Sequence, residues 1–163
     1  MTITTQFPAG ALAFNNDAAV TTTGASSTAP TSFNFHTTIA DLRGANGDDS
    51  GWHLEASSAG LTLGGSGTGT HIPLTVGSTG STVSCTPASD GICPTVDPTF
   101  TPQTLNTNGT TAASFLSATY ATDTSAIRAT FTINTVGSYD FSTGAHPAGV
   151  WSGTIDIALF NAP

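Results

Sequence analysis

Phe33-Asn-Phe-His-Thr-Thr-Ile-Ala-Asp-Leu-Arg-Gly-Ala-Asn-Gly-Asp-Asp-Ser-Gly-Trp-His-Leu54 decides the fold class of this chain. Phe33, Phe35, Thr37 and Ile39 alternate with Asn34, His36, Thr38 and Ala40, and a period of two belongs to a half-buried strand, not to a helix. The strand ends at Asp41. A Gly/Asp-rich turn follows, and Trp52 and Leu54 then open a second strand with Ala56 on the same face. The segment also holds Arg43 and Trp52, one of two arginines and one of two tryptophans, in a chain without lysine. Arg43 has two readings here. It forks onto the Asp41 carboxylate or loop carbonyls as a partly buried partner, or it is a solvated turn residue.

The same period recurs on either side. Residues 60–63 follow Ala56 after a short turn and are expected to form a hairpin with the Trp52 strand. Ile72, Leu74 and Val76 alternate, with Pro73 predicted to keep that strand at a sheet edge because proline has no N–H to give a ladder. Residues 77–109, rich in Gly, Ser, Thr and Pro, are expected to be a long surface excursion with one short strand at most. Residues 112–121 are the one stretch with the potential for a helical turn or two. Ile127, Ala129, Phe131 and Ile133 alternate with Arg128, Thr130, Thr132 and Asn134. The clearest strand is the last, with Trp151, Gly153, Ile155, Ile157 and Leu159 facing one way. Short strands between turns, without helical crossovers, predict an all-β protein: one antiparallel β-sandwich domain over residues 1–163, with long loops. The strongest strands lie far apart in sequence, so contact order is high and folding slow.

Composition narrows the function classes. Charged residues make up 7% of the chain, against about a quarter in an ordinary soluble domain. Thr (32) and Ser (17) fill the gap, and β-branched Thr suits a pleated, half-solvated strand face. A net charge of −8 without a basic patch argues against nucleic acid and against anionic membrane surfaces. No run approaches the roughly 20 apolar residues of a membrane-spanning helix. Cys85 and Cys93 flank a Pro- and Asp-Gly-containing turn that lets them meet. A disulfide is expected, with two free thiols as the alternative. Closing so small a loop would stabilise the fold by about 2–3 kcal/mol, and it implies an oxidising compartment. His36, His53, His71 and His146 all lie away from the pair, so a zinc site is not indicated. The first residues lack the basic and apolar regions of a secretion signal, and a secreted, processed protein is the expectation.

With the strands placed, residues 33–63, carrying Ala40-Asp-Leu-Arg-Gly44 and Gly51-Trp-His-Leu54, resemble the first signature of the WxL domain family of Gram-positive cell-surface modules. Trp151-Ser-Gly-Thr-Ile-Asp-Ile-Ala-Leu159, closing with Asn161-Ala-Pro163, resembles the second, with Ile157 where the family has a second Trp. The resemblance implies a non-catalytic β-sandwich associated with peptidoglycan. Trp52, Leu54 and Leu159 are then the matched motif positions and candidate wall-binding residues. The bland reading of Trp52 and Leu54 is a core pair on one sheet face.

No Gly-x-Ser-x-Gly elbow, His-Glu-x-x-His or Walker motif is present, so neither an enzyme nor a cofactor is expected. Asp48 and Asp49 are weak calcium candidates without EF-hand spacing, and no metal is expected. Asn108 heads an Asn-Gly-Thr glycosylation sequon. The family carries this domain as the anchor of longer chains. Here the domain fills the whole sequence, and the expectation moves to a self-assembling subunit of a surface fibre or layer, a homopolymer, with peptidoglycan binding as the alternative. Edge strands are usually blunted by charge, especially lysine, which this chain lacks. Ile3, Thr5 and Phe7 alternate, Pro8-Ala-Gly10 interrupts, and Leu12 and Phe14 resume. Residues 1–14 are therefore the candidate for a strand exchanged between copies.

Overall fold

The computed structural model describes residues 12–17 (backbone), 31–43, 51–64, 69–89, 91–120, 128–142, 146 and 149–161. Ile3, Thr5, Phe7, Asp48 and Asp49 lie outside these, as do the side chains of Leu12 and Phe14. The described residues form strands and turns, with no helix, in two antiparallel sheets packed as a sandwich.

The first sheet is built on β2 (Thr31–Asp41) and β10 (Ala129–Tyr139), which pair in unbroken register from Thr31↔Tyr139 to Asp41↔Ala129. β1 (Leu12–Asp17) flanks β2, starting with Leu12 opposite Asp41. On the far side of β10 lie β6 (Thr82–Pro87) and, further along, β5 (Leu74–Val76), which in turn carries β8 (Gln103–Thr104). The second sheet runs β12 (Asp156–Asn161), β3 (Gly51–Ser57), β9 (Ala113–Tyr120), β7 (Val96–Phe100). A small ribbon of β4 (Thr62–Leu63) and β11 (Trp151–Ser152) completes the described strands.

The alternation seen in the sequence is the alternation of burial. Phe33, Phe35, Thr37, Ile39 and Asp41 of β2 point inward, as do Ala129, Phe131, Ile133, Thr135 and Tyr139 of β10. Aromatic rings bridge the sheets: Trp52 meets Phe131 edge-on at 5.5 Å and Phe35 meets Phe115 at 6.5 Å. At the other end Phe33, Tyr139, Phe141 and Trp151 form a chain of ring contacts. Such pairs add about 0.5–1.5 kcal/mol each beyond the apolar area they bury.

Five expectations are corrected. Residues 60–63 do not return onto β3, because β12 and β9 occupy both of its edges. Ser58 turns the chain away, its hydroxyl donating to the Thr154 carbonyl and accepting from the Gly60 N–H, so Thr62–Leu63 pairs with β11. Within residues 112–121, Ala113–Tyr120 form strand β9, not helix. A register shift against β3 makes Phe115 an extra residue, so Phe115 and Leu116 are buried in succession and the period of two is lost. Residues 77–109 contain β6, β7 and β8, whose mostly exposed Ser, Thr and Pro residues gave no apolar alternation. Pro73 does not hold its strand at an edge. It precedes β5, exposed, and β5 has neighbours on both sides. The last strand is two pieces, β11 and β12, although Trp151, Ile155, Ile157 and Leu159 are all buried as the pattern required.

Gly137 shows how tightly the first sheet is packed. It pairs with Phe33, whose ring lies over it so closely that a Cβ would fall 2.4 Å from Phe33 Cζ. Gly137→Ala should push the ring from the core and cost about 1–3 kcal/mol as overpacking, measured by urea denaturation against the parent protein.

Candidate functional site

Four strand ends meet at one pole of the sandwich, and a buried ion pair joins them. Asp41 closes β2 and is 1% exposed; the Arg43 side chain, 8% exposed, folds back over it. Arg43 Nε donates to Asp41 Oδ1 at 2.9 Å and Nη2 to Oδ2 at 2.6 Å, a bidentate fork. The Arg43 backbone N–H adds a third bond to Oδ1 at 3.2 Å. The Tyr120 hydroxyl, at the end of β9, donates to Oδ2 at 2.6 Å. Arg43 also donates to the Gly51 carbonyl, the first residue of β3, at 3.1 Å, and to the Asn161 side-chain oxygen at the end of β12. Gly51 is required here. Its φ of 134° lies in the region that favours glycine, and a Cβ would collide with the Ala118 carbonyl at 1.9 Å.

Electrostatics follow from this geometry. Burial pushes the Asp41 carboxyl pKa up, but the hydrogen bonds from Arg43 and Tyr120, with the Arg43 charge, outweigh it and hold the pKa below the usual carboxylate value. The Tyr120 phenol is raised, first by burial and then by its bond to the Asp41 carboxylate. All of these groups are committed to one another. The arrangement ties four strand ends together and stabilises structure.

Immediately beside it the two motif strands are neighbours. β3 and β12 pair with Leu54 opposite Leu159, Ala56 opposite Ile157 and His53 opposite Phe160. Trp52, Leu54, Ile157 and Leu159 all face inward and are buried. Of the two readings of the motif, the structure places these residues in the core. Trp52 Nε1 has no hydrogen-bond partner among the described residues, and its indole packs edge-on against Phe131. The outward residues between them form the accessible surface: the His53 ring stacks on Phe160 at 4.9 Å and 8° between planes, and His53 Nε2 lies 3.7 Å from Glu55 Oε1. Phe160 is 40% exposed.

The other candidates lie elsewhere. Cys85 and Cys93 are joined as a disulfide with Cα atoms 6.0 Å apart, tying β6 to the loop beyond it. Asn108 is exposed in a turn, where its Oδ1 accepts from the Thr110 and Thr111 N–H groups and its amide donates to Thr111. Among the described residues no group of three or more His, Cys, Asp or Glu is placed to hold a metal, and no helix is long and apolar enough to cross a membrane. Arg43 pairs with Asp41 in the manner of the partly buried alternative, not the solvated one. The roles of Tyr120, Gly51, Asn161 and Phe160 carried no signal in the sequence. Compared with protein-family models, curated proteins and solved structures, the chain matches none.

Removing one partner of a buried ion pair strands the other, at about 3–5 kcal/mol. Asp41→Asn and Arg43→Met should each lose stability of that order in urea melts. Because the folded Asp41 pKa is depressed, its contribution is complete above the unfolded value of about 4 and disappears as pH falls through the folded one. The raised Tyr120 pKa acts in the opposite sense, so its contribution is lost as pH rises beyond about 10. Thermal melts across pH 2–11 should therefore show a plateau between these limits, and the acid-side fall should be shallower in Asp41→Asn.

Proposed function

We propose that this chain is a non-catalytic extracellular structural protein that assembles with copies of itself through an open sheet edge, a surface protein akin to the WxL modules it resembles. The observation that carries the proposal is β12. It pairs with β3 through six consecutive residues with no register shift, proline or glycine, and its single charge, Asp156, stands at its start. The outer side of β12 has no paired strand among the described residues. The remaining edges are blunted. β7 carries Asp97 and Pro98, β8 is two residues long, β6 ends at Pro87 beside the disulfide, and β1 is broken by a register shift and ends in Asp17. An edge strand with few charges and no second paired strand among the described residues is a template for a further strand. The disulfide supports an oxidising compartment.

Peptidoglycan binding is the second reading, favoured by the exposed Phe160–His53 stack and Glu55 on the outer face of the motif strands. One experiment separates the two. Sedimentation velocity and negative-stain microscopy should show regular polymers at high concentration, more of them near pH 4.3, the sequence pI, where the net charge of −8 is neutralised. Monomers under every condition, with binding to purified peptidoglycan that Phe160→Ala abolishes, would reverse the choice.

A further inference from the structure

We propose that a cleft at the β5–β8–β10 corner of the first sheet binds a primary alkylammonium group, the chemistry of a lysine side chain or a small diamine. The site is independent of the self-assembly proposed above. It forms where a ladder stops. β5 and β10 pair at Thr75↔Ser138 and Leu74↔Tyr139, and the next residues along are Pro73 and Asp140. Proline has no N–H with which to continue the pairing, so the ladder ends there. A cleft of about 230 Å³ lies at this point, lined by Pro73, Thr75, Thr104, Ser138, Tyr139 and Asp140. Drug-sized ligands take about 300 Å³ or more, so this cleft suits one small group and its stem.

Its polar atoms are of one kind. Ser138, Thr75 and Thr104 stand in a single cross-strand row, and the Thr75 and Thr104 hydroxyls lie 3.1 Å apart in a hydrogen bond. Asp140 follows Tyr139 at the end of β10, where its Oδ1 accepts the Ser142 N–H at 2.7 Å. The Ser142 hydroxyl and N–H hold the Asp140 carboxyl below the usual carboxylate value, so it is ionised at neutral pH. The lining side chains thus present hydroxyl oxygens and one carboxylate, and every one of these can accept. An ammonium brings three donors and no acceptor, whereas an anion would meet Asp140 with like charge. Pro73 and Tyr139 are the apolar members of the lining, suited to the alkyl stem that such cations carry.

Charge points the same way. A net charge of −8 draws cations towards the protein. Both arginines belong to the other end of β10: Arg128 precedes Ala129, and Asp41, opposite Ala129, holds Arg43. The eleven residues of β10 separate its ends by about 34 Å, well beyond the screening length of about 8 Å at physiological salt. The sequence has no lysine, so a lysine in this cleft belongs to a different protein.

The test titrates cadaverine, a short peptide amide with one central lysine, and pentanol into the isotopically labelled protein at constant ionic strength, followed by backbone amide NMR. Both amines should shift the amides of Thr75, Thr104, Ser138 and Asp140, and the alcohol should not. Asp140→Asn keeps an oxygen acceptor for the Ser142 N–H and removes the charge. It should weaken amine binding by about tenfold or more, as the loss of a hydrogen bond to a charged group implies. Asp97→Asn, which removes the same charge from β7, should bind as the parent does. Tighter binding of the peptide identifies a lysine side chain as the ligand, and tighter binding of cadaverine a free amine. If the two charge variants weaken binding equally, the attraction belongs to the acidic surface as a whole and the site is overturned. It is overturned too if pentanol binds as well as the amines, or if the cleft amides stay unshifted at high millimolar amine.

Discussion

The ion pair between Asp41 and Arg43 is the constraint around which the sandwich is arranged. One carboxylate, 1% exposed, collects the guanidinium fork and the Tyr120 hydroxyl, while the same guanidinium reaches Gly51 and Asn161. Through these bonds the ends of β2, β9 and β12 and the start of β3 are held at one pole. Two strands belonging to different sheets, β2 and β3, are thereby tied end to start. A buried ion pair contributes little net stability compared with a well-packed apolar substitute, but losing half of it is expensive. Its structural role here is positional, since its hydrogen bonds reach the ends of four strands at once.

That alignment determines which residues can meet the outside. With Gly51 and Asn161 held together, β3 and β12 pair so that Leu54 faces Leu159 and Ile157 faces Ala56, all inward. Trp52 then fills the space over Phe131. The Trp-x-Leu residues become interior volume, and what remains accessible is the other half of the pattern, His53, Glu55 and Phe160. Ile157, opposite Ala56, is a β-branched residue buried in the core, as suits a strand.

The long central strands were legible because their burial is one-sided. β2 and β10 alternate without interruption, and every second residue enters the core. β9 was not legible, because Phe115 is an extra residue and places two bulky side chains inward in succession. β6, β7 and β8 were hidden for a different reason. Short edge strands bury little, so Thr82, Ser84 and Thr86 look the same as loop residues. The hairpin expected after Ala56 failed because local spacing shows that a chain can turn but not which edges are already occupied.

The amino-acid sequence by itself determined the all-β class, the inward faces of the longest strands, the disulfide between Cys85 and Cys93, and the availability of Asp41 to Arg43. Each depends on residues a few positions apart, where periodicity and spacing act directly. Only the tertiary structure decided that Tyr120, 79 residues from Asp41, completes the ion pair. It also decided that the two motif segments lie side by side and that β12 has β3 as its one paired strand among the described residues. Those outcomes depend on how whole sheets pack and which strand fills each edge. No local pattern encodes that competition, because it is settled by burying the largest apolar area while leaving no buried charge unpaired.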